Sequence, residues 1–409
     1  MALLCFPHSL STLVQLSRGA GVLLRPQLPL LFGALLNALS ELEPQVLNQI
    51  SVRAGADVRD KLDAARVAAT KSTPAMETIN HCVQFVDASV LTALVPRLVE
   101  QAKSSVGLGT RAGCAHLAVA LTHQCPLELQ PHAGKLLRAF VHGLSDRNAT
   151  VRRCCATAVG NLAKVAKESD VDRLMAKLRS WYMETDADEA VQWACAHTMQ
   201  SVARHAPDVL RAHATAALPL AFFAKHAKPL GKYQGKTEEE SPAPLWDEVW
   251  VEFTAGTESG LKLYLSEVVG LIQQGLECPS WPLRAQAGVT ACALAQTLGP
   301  FLDWAWTELL LTALLAALSG RTWAGKESLL KALSAVGVNC VATNGDSGDD
   351  LPMRSAFLNK VSEALVRECR KENPIYKEQA VSSLAQLVEK HELDYFAPLL
   401  EILEPQLRK

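Results

Sequence analysis

The sequence is poor in aromatic residues, which make up only 6% of its 409 residues although 49% are hydrophobic. Leucine and alanine supply most of the apolar side chains. This composition is typical of helices that pack through small and aliphatic groups, and it disfavours an aromatic-rich β-sandwich. A chain of this length could form two or three globular domains or one long solenoid.

The sequence also lacks an excess of charge of either sign. It contains 40 Lys and Arg against 42 Asp and Glu, for a net charge of −2. Nucleic-acid binding depends on basic residues that neutralise phosphates. We therefore expect no nucleic acid as a principal ligand.

No Cys-x-x-Cys motif occurs among the 11 cysteines, and their odd, scattered set fits a reducing compartment. Cys195 and His197 lie two positions apart on a predicted helix, so their side chains point to different faces. Cys154 and Cys155 lie inside another predicted helix, where a buried thiol is inert. We therefore expect no metal, no cofactor and no enzyme activity.

Long hydrophobic runs are missing too. The longest uninterrupted one, residues 28–39, is too short for a transmembrane helix, and the first residues lack the positive charge of a signal peptide. This run is predicted to be a buried helix, without direct membrane insertion.

What the sequence does contain is a helical hairpin around residues 131–162. Its second helix has apolar residues at the spacing of one helical stripe. The hairpin carries an Asp in the turn, a Val-Arg pair at the helix start, and small residues four and seven positions after the Val: Asp146, Val151, Arg152, Cys155 and Ala158. Such a hairpin cannot bury both apolar stripes alone and must stack on copies of itself. We expect Val151, Cys155, Ala158 and Leu162 to be buried.

The copies recur at a fixed period. Residue pairs equivalent to Val151-Arg152 begin at Thr110, Val191, Leu283 and Tyr376, and the first steps are 41 and 40 residues. HEAT repeats are about 40–47 residues long, and the pattern resembles them. Arg111, Arg152 and Arg284, which occupy the repeated basic position, are predicted to bridge to the turn of a neighbouring repeat.

The predicted fold is therefore all-α: a single continuous α-solenoid of about eight to ten HEAT-like hairpins. The predicted divisions are a poorly defined segment 1–26, repeats over 27–224, an exposed charged loop at 225–245, and repeats over 246–409 that end incompletely. Apolar side chains of the first and last helices are expected to be exposed: Leu30, Leu31, Leu35, Leu39, Phe396, Leu399, Leu400, Ile402 and Leu403.

One motif partly matches a nucleotide-binding site. Residues 320–326 fit the spacing of a phosphate-binding loop as far as Lys326, but Glu327 stands where a Ser or Thr should bind Mg²⁺. A helix rather than a strand is predicted before it, so the motif is interpreted as a turn between helices. Arg321, Trp323 and Lys326 are candidates for a partner-binding surface.

Several stretches, taken in order, go beyond a generic HEAT pattern: residues 42–48, 61–66, 76–80, 107–110, 181–184 and 320–327. Together they resemble the C-terminal part of the proteasome adapter and scaffold protein family, over about residues 27–390. The resemblance implies a non-enzymatic adapter that binds 26S proteasome subunits and adapter clients and acts in proteasome quality control. It also implies a place in the cytoplasm and nucleus, with peripheral association at endoplasmic reticulum, endosomes or centrosome.

Two alternatives to this function are open. One is a HEAT-repeat scaffold or carrier of another kind, such as a nuclear-transport receptor or a phosphatase scaffold. The other is an enzyme that carries helical repeats, which the absence of any strand-borne motif disfavours.

Overall fold

The structure is a computed structural model that describes residues 12, 14–17, 19–41, 43, 45–105, 107–184, 189–227, 241–341 and 351–407. Every regular element in these residues is a helix, and no strand occurs among them. The predicted all-α class is confirmed. The chain forms two compact units, one of residues 1–178 and 189–213, the other of residues 179–188 and 214–409.

Unit 1 begins with a 3₁₀ turn at Gly21–Gln27 and continues with a series of α-helices: α1 (Leu28–Glu41), α2 (Gln45–Arg53), α3 (Ala56–Thr70), α4 (Pro74–Cys82), α5 (Ala88–Ser104), α6 (Leu108–Gln124), α7 (Pro126–Gly143), α8 (Ala149–Ala163), α9 (Glu168–Glu184, whose last turns belong to unit 2), α10 (Glu189–His205) and α11 (Pro207–Ala212).

Unit 2 follows the same design: α12 (Ala214–Ala224), α13 (Ala243–Phe253), α14 (Thr257–Leu263), α15 (Leu265–Glu277), α16 (Trp281–Leu298), α17 (Trp304–Ala317), α18 (Glu327–Cys340), α19 (Leu351–Cys369), α20 (Pro374–His391) and α21 (Phe396–Leu407).

Helix starts follow from local side-chain chemistry. Asn148 caps α8, because its side-chain oxygen accepts from the backbone N–H groups of Thr150 at 2.9 Å and Val151 at 3.2 Å. Asp87 caps α5 in the same way. Asn373 caps α20, whose first residue is Pro374, where the missing N–H costs no helical hydrogen bond.

Within each unit, first helices of hairpins pack on first helices, and second helices pack on second helices. In unit 1 the second helices α6, α8 and α10 lie side by side, and in unit 2 α16, α18 and α20 do the same. Small residues set the spacing. A Cβ on Gly160 of α8 would lie 2.5 Å from the backbone carbon of Ser201 on α10. These helices therefore pack nearly backbone to backbone, as stacked hairpins require.

Two sequence predictions about element bounds are wrong. The first helix of the hairpin, which precedes the turn with Asp146, begins at Pro126 and not at Pro131. Pro131 lies inside this helix, on its exposed side. The predicted loop 225–245 is too long at its end, because helix α13 includes its last three residues. Residues 228–240 of this predicted loop lie outside the described residues. The apolar residues of 261–276 are divided between two helices, α14 and α15, which meet at Tyr264.

The expected exposure of the terminal helices is also only partly correct. Leu30, Phe396 and Leu400 are exposed, but Leu35, Leu39 and Ile402 are buried. The reason is packing: α1 lies against both α5 and α6, and α21 contacts α19. The side chain of Leu403 lies outside the described residues.

In the part of the chain that is described, Gly21–Glu41 is the one helical segment long and apolar enough to cross a membrane. Leu28, Phe32 and Leu36 of this segment are nevertheless fully buried in the protein. The core helix of a folded domain and a signal sequence both meet the same criteria of length and composition.

Candidate partner-binding surfaces

The repeat-signature residues form the core of the hairpin. Val151, Cys155 and Ala158 are 2%, 5% and 0% exposed, and Leu162 is fully buried, as predicted. A Cβ on Gly143 of α7 would lie 2.5 Å from the Cys155 sulfur, so this small pair lets α7 and α8 cross closely. These residues support the stack and offer nothing to a ligand.

The arginines of the signature bind turns. Arg111 on α6 forms an ion pair with Asp146 in the turn before α8, which is the predicted bridge to a neighbouring repeat. Arg152 donates to the carbonyl of Asp146 at 2.7 Å, and Arg284 donates through Nε to the carbonyl of Cys278 at 2.6 Å. The bridge is thus present at Arg111, whereas these bonds of Arg152 and Arg284 close the turn before their own helix.

A buried polar network extends from the same turn. Arg66 donates to both carboxylate oxygens of Glu43 at 2.7 and 2.6 Å and to Asp63 at 2.9 Å. Asn148 donates from Nδ2 to the other oxygen of Asp63 at 2.6 Å. The hydrogen bonds with Glu43 raise the pKa of Arg66. Each charged side chain here has a hydrogen-bond partner inside the fold, so the network is structural.

Three of the buried thiols are poor nucleophiles. Burial raises the pKa of Cys114 and of Cys195 to about 12, and that of Cys369 to about 11. A thiol in this state is protonated at neutral pH and is neither a nucleophile nor a metal ligand. Among the described residues, no group of three or more His, Cys, Asp or Glu side chains could hold a metal ion.

The phosphate-loop-like motif is a turn between α17 and α18, and its lysine does not face solvent. Lys326 is fully buried, and its Nζ donates to the carbonyls of Gly320 at 3.2 Å and Arg321 at 3.3 Å. Glu368 lies 3.7 Å away, and burial lowers the pKa of Lys326. The prediction that Lys326 belongs to a partner surface is therefore wrong, because this lysine holds the loop to α19 from inside.

The rest of the loop does reach the surface. Trp323 stacks on Trp281, with ring centroids 6.1 Å apart and planes at 14°, and the Arg321 guanidinium lies 5.6 Å from the Trp281 ring. Trp281 is 45% exposed. The sequence did not predict Trp281 as part of this surface. Trp281 begins α16, and it contacts the loop before α18 only because the two repeats stack. We call these three residues the tryptophan patch.

A groove lies on the faces of α16, α18 and α20. Two adjoining cavities of about 430 and 290 Å³ share Cys292, Gln296 and Lys331 in their linings. Carboxamides from all three helices line the second cavity: Gln296, Asn339, Gln379 and Gln386. We call it the carboxamide groove. Its polar groups are uncharged apart from Lys331, so it suits hydrogen-bonded rather than ionic partners.

Stacked helical hairpins, with no metal cluster in the described part of the chain, define a HEAT-repeat scaffold fold. A family model described as the HEAT-repeat domain of the proteasome adapter and scaffold protein ECM29 matches residues 24–183. Over 98% of its length the chain is 42% identical to the human proteasome adapter and scaffold protein ECM29. Over 95% of its length it is 34% identical to the Drosophila melanogaster proteasome-associated protein ECM29 homolog. The predicted resemblance is confirmed, and over nearly its whole length the chain matches one part of the ECM29 proteins.

These relatives are much longer. The chain spans about a fifth of the length of the curated relatives it matches, with 21% of the human and 20% of the fly protein covered. Among solved structures, importin β in an ammonium sulfate condition has a TM-score of 0.39 at 12% identity, over 92% of this chain and 47% of that one. That similarity is too low to bear on function.

Proposed function

We propose that this chain is a non-enzymatic adapter segment that binds 26S proteasome subunits and connects them to client proteins. The observation that carries the proposal is the 42% identity, over 98% of the chain, to a human protein named proteasome adapter and scaffold. A stack of hairpins supports such a role, because it presents long surfaces on which partners can be placed. A nuclear-transport or phosphatase scaffold is not favoured, since the four curated relatives are all named as proteasome components, adapters or associated proteins.

The proposal extends to what the chain does not do. The buried, high-pKa thiols disfavour nucleophilic catalysis, and the buried apolar side chains of α1 disfavour membrane insertion. The proposed location is the cytoplasm and nucleus, with recruitment to endoplasmic reticulum, endosomes or centrosome through protein partners. Fluorescence imaging of the tagged chain beside a proteasome marker tests this location.

The tryptophan patch is the proposed contact for a protein partner. Tryptophan and arginine are over-represented among the residues that dominate binding energy at interfaces. Arg321 and Trp281 are exposed, while Lys326 fixes the loop beneath them. A fixed backbone loses little entropy on binding, which favours affinity.

Affinity purification of the tagged chain from cell extract, followed by quantitative mass spectrometry, tests the function. We expect proteasome subunits to be enriched with the wild-type chain and depleted with the double variant Trp281→Ser, Arg321→Glu. The matched control is Lys135→Glu with Arg138→Glu on the exposed side of α7. Recovery of no proteasome subunit by a folded wild-type chain would contradict the proposal.

A further inference from the structure

The second helices of unit 1 present a row of basic side chains. On α6, on α8 with the residue that follows it, and on α10, basic side chains recur seven or eleven positions apart, which places them on one stripe of each helix. They are His116, His123, Arg153, Lys164, His197 and Arg204. We call this set the cationic face. His123, Arg153, Lys164 and Arg204 are exposed, and His116 and His197 are half-buried.

The arginines of this face lie close enough to the histidines of neighbouring helices to affect them. Burial lowers the pKa of His197 to about 4, and the charges of Arg153, Arg152 and Arg204 add to the effect. His123 on α6 contributes to lowering the pKa of His205 on α10. His197 is therefore neutral at pH 7, and the positive charge of the face comes from the exposed Arg153, Lys164 and Arg204.

Acidic residues are almost missing from the same helices. Helices α6 and α8 contain no Asp or Glu, and α10 contains only Glu189, at its first position. The whole chain has a net charge of −2, so the positive charge on this face is a local concentration. A surface lined by one sign of charge attracts partners of the other sign and accelerates their association.

We propose that the cationic face binds an acidic segment of a partner protein, with carboxylates paired to Arg153, Lys164 and Arg204. This proposal rests on the adapter function proposed above and names a surface and a partner chemistry for it. Trp193, stacked on His197 at 5.4 Å between ring centroids and 27° between planes, supplies an apolar flank for the segment's side chains. Between His116 and His123, α6 has the short side chains of Val119 and Ala120, which do not project far from the helix.

The chemistry favours protein over nucleic acid. Single-stranded nucleic acids bind where several aromatic rings offer stacking platforms along a basic groove. In α6, α8 and the described part of α10, Trp193 is the one residue among Trp, Tyr and Phe, and its ring already stacks on a histidine. Carboxylates need only the cations.

The test is fluorescence anisotropy with the full chain and a labelled peptide of alternating Glu and Ser. A length of about ten residues, at about 3.3 Å each, exceeds the roughly 20 Å between the first and third of three packed helices. We expect binding at low salt that weakens as salt screens the charges. A peptide with Gln in place of every Glu should not bind.

The face variant is Arg153→Glu with Lys164→Glu, and its milder partner is Arg153→Gln with Lys164→Gln. The control, Lys135→Glu with Arg138→Glu on α7, changes the net charge by the same amount away from the face. We expect the face variant to lose at least about tenfold in affinity and the control to change by less than about twofold. The milder variant should lose an intermediate amount while its helical circular dichroism stays that of the wild type.

Equal losses in the face and control variants would overturn the proposal, as would absence of peptide binding by the folded wild-type chain. Tighter binding of an oligothymidine of similar length would identify a nucleic-acid surface instead. Proteasome capture, measured in parallel, separates the two proposals. A chain that captures proteasomes without binding the peptide overturns only the cationic face. A chain that binds the peptide through this face and captures no proteasome contradicts only the adapter function.

Discussion

The second helices of unit 1 and of unit 2 stack in the same way but present different chemistry. In unit 1, α6, α8 and α10 carry four arginines and a single acidic residue. In unit 2, α16, α18 and α20 carry a near balance of charges, and their shared groove is lined by carboxamides. The inward stripe that builds the stack is apolar in both. One architecture can therefore hold two unlike partner surfaces, because the stripe that stabilises a HEAT hairpin and the stripe that meets a ligand are different sets of residues.

The buried ions of the two units differ as well. Arg66 in unit 1 makes three charged hydrogen bonds of 2.6–2.9 Å, whereas Lys326 in unit 2 meets its one carboxylate at 3.7 Å. Breaking a buried pair costs about 3–5 kcal/mol because a charge is left without its partner. We expect Arg66→Ala to destabilise by that amount and Lys326→Ala by clearly less, measured by urea unfolding. A larger loss for Lys326→Ala would reverse our ranking of the two clusters.

Close helix packing gives the next largest effect. Gly160→Ala should destabilise unit 1 by about 2–3 kcal/mol, since the new methyl group would meet the backbone of Ser201. Gly270→Ala is the matched control in unit 2, because that glycine is helical and has nothing within 4 Å of a Cβ. There the same substitution should stabilise by about 0.5–1 kcal/mol. Thermal unfolding of both variants checks the opposite signs, and a shared sign would show that the spacing of α8 and α10 is not fixed by Gly160.

Acid should weaken unit 1 through two half-buried histidines. Burial lowers the pKa of His116 and of His197 to about 4. In the unfolded chain their pKa is near 6.5, so between these values the unfolded state binds more protons and stability falls as the pH falls. We expect a loss on the order of 1–2 kcal/mol per histidine from pH 7 to pH 5, by urea unfolding at both values.

The double variant His116→Gln, His197→Gln is the control for this pH effect. It should flatten the dependence between pH 7 and pH 5, because glutamine does not titrate there. An unchanged slope in this variant would assign the effect to other groups.

The smallest effect is expected in the carboxamide groove. Ser334, 1% exposed, donates to the side-chain oxygen of Gln386 at 2.7 Å. Gln386→Ala should cost about 1 kcal/mol, the usual value of one neutral hydrogen bond with a buried partner. Gln296→Ala, on the exposed side of the groove, serves as the comparison and should cost less. Equal losses would mean that Gln386 contributes nothing specific to the fold.

Local sequence patterns predicted much of this architecture. The burial of Val151, Cys155 and Ala158 and the turn that contains Asp146 follow from contacts within one hairpin, and the period of about 40 residues is the repetition of that hairpin. The same patterns predicted the wrong start for α7, because Pro126 and Pro131 can each begin a helix and only packing selects between them. Helix α13 is short and follows a charged stretch, so it lacked a clear period.

The candidate surfaces depended on contacts that sequence spacing does not show. The sequence predicts Lys326 at the surface, since lysine is rarely buried unless paired, and its partner Glu368 belongs to another helix. Trp281 joined the tryptophan patch only through Trp323 of the following repeat. The basic stripes of α6, α8 and α10 are present in the sequence, but the net charge of the whole chain, −2, gives no sign of them.

The hydrogen bond from Asn148 to Asp63 has a consequence for how unit 1 comes apart. In an ideal solenoid each repeat touches only its neighbours, so the array can fray one repeat at a time from either end. Here α3 contacts both α6 and α8, and the cap of α8 is fastened to α3. Such a bridge over an intervening repeat couples three repeats into one cooperative block. Backbone amides in α3, α6 and α8 should then exchange with deuterium at a common rate, as a single opening event, rather than as a gradient along the chain.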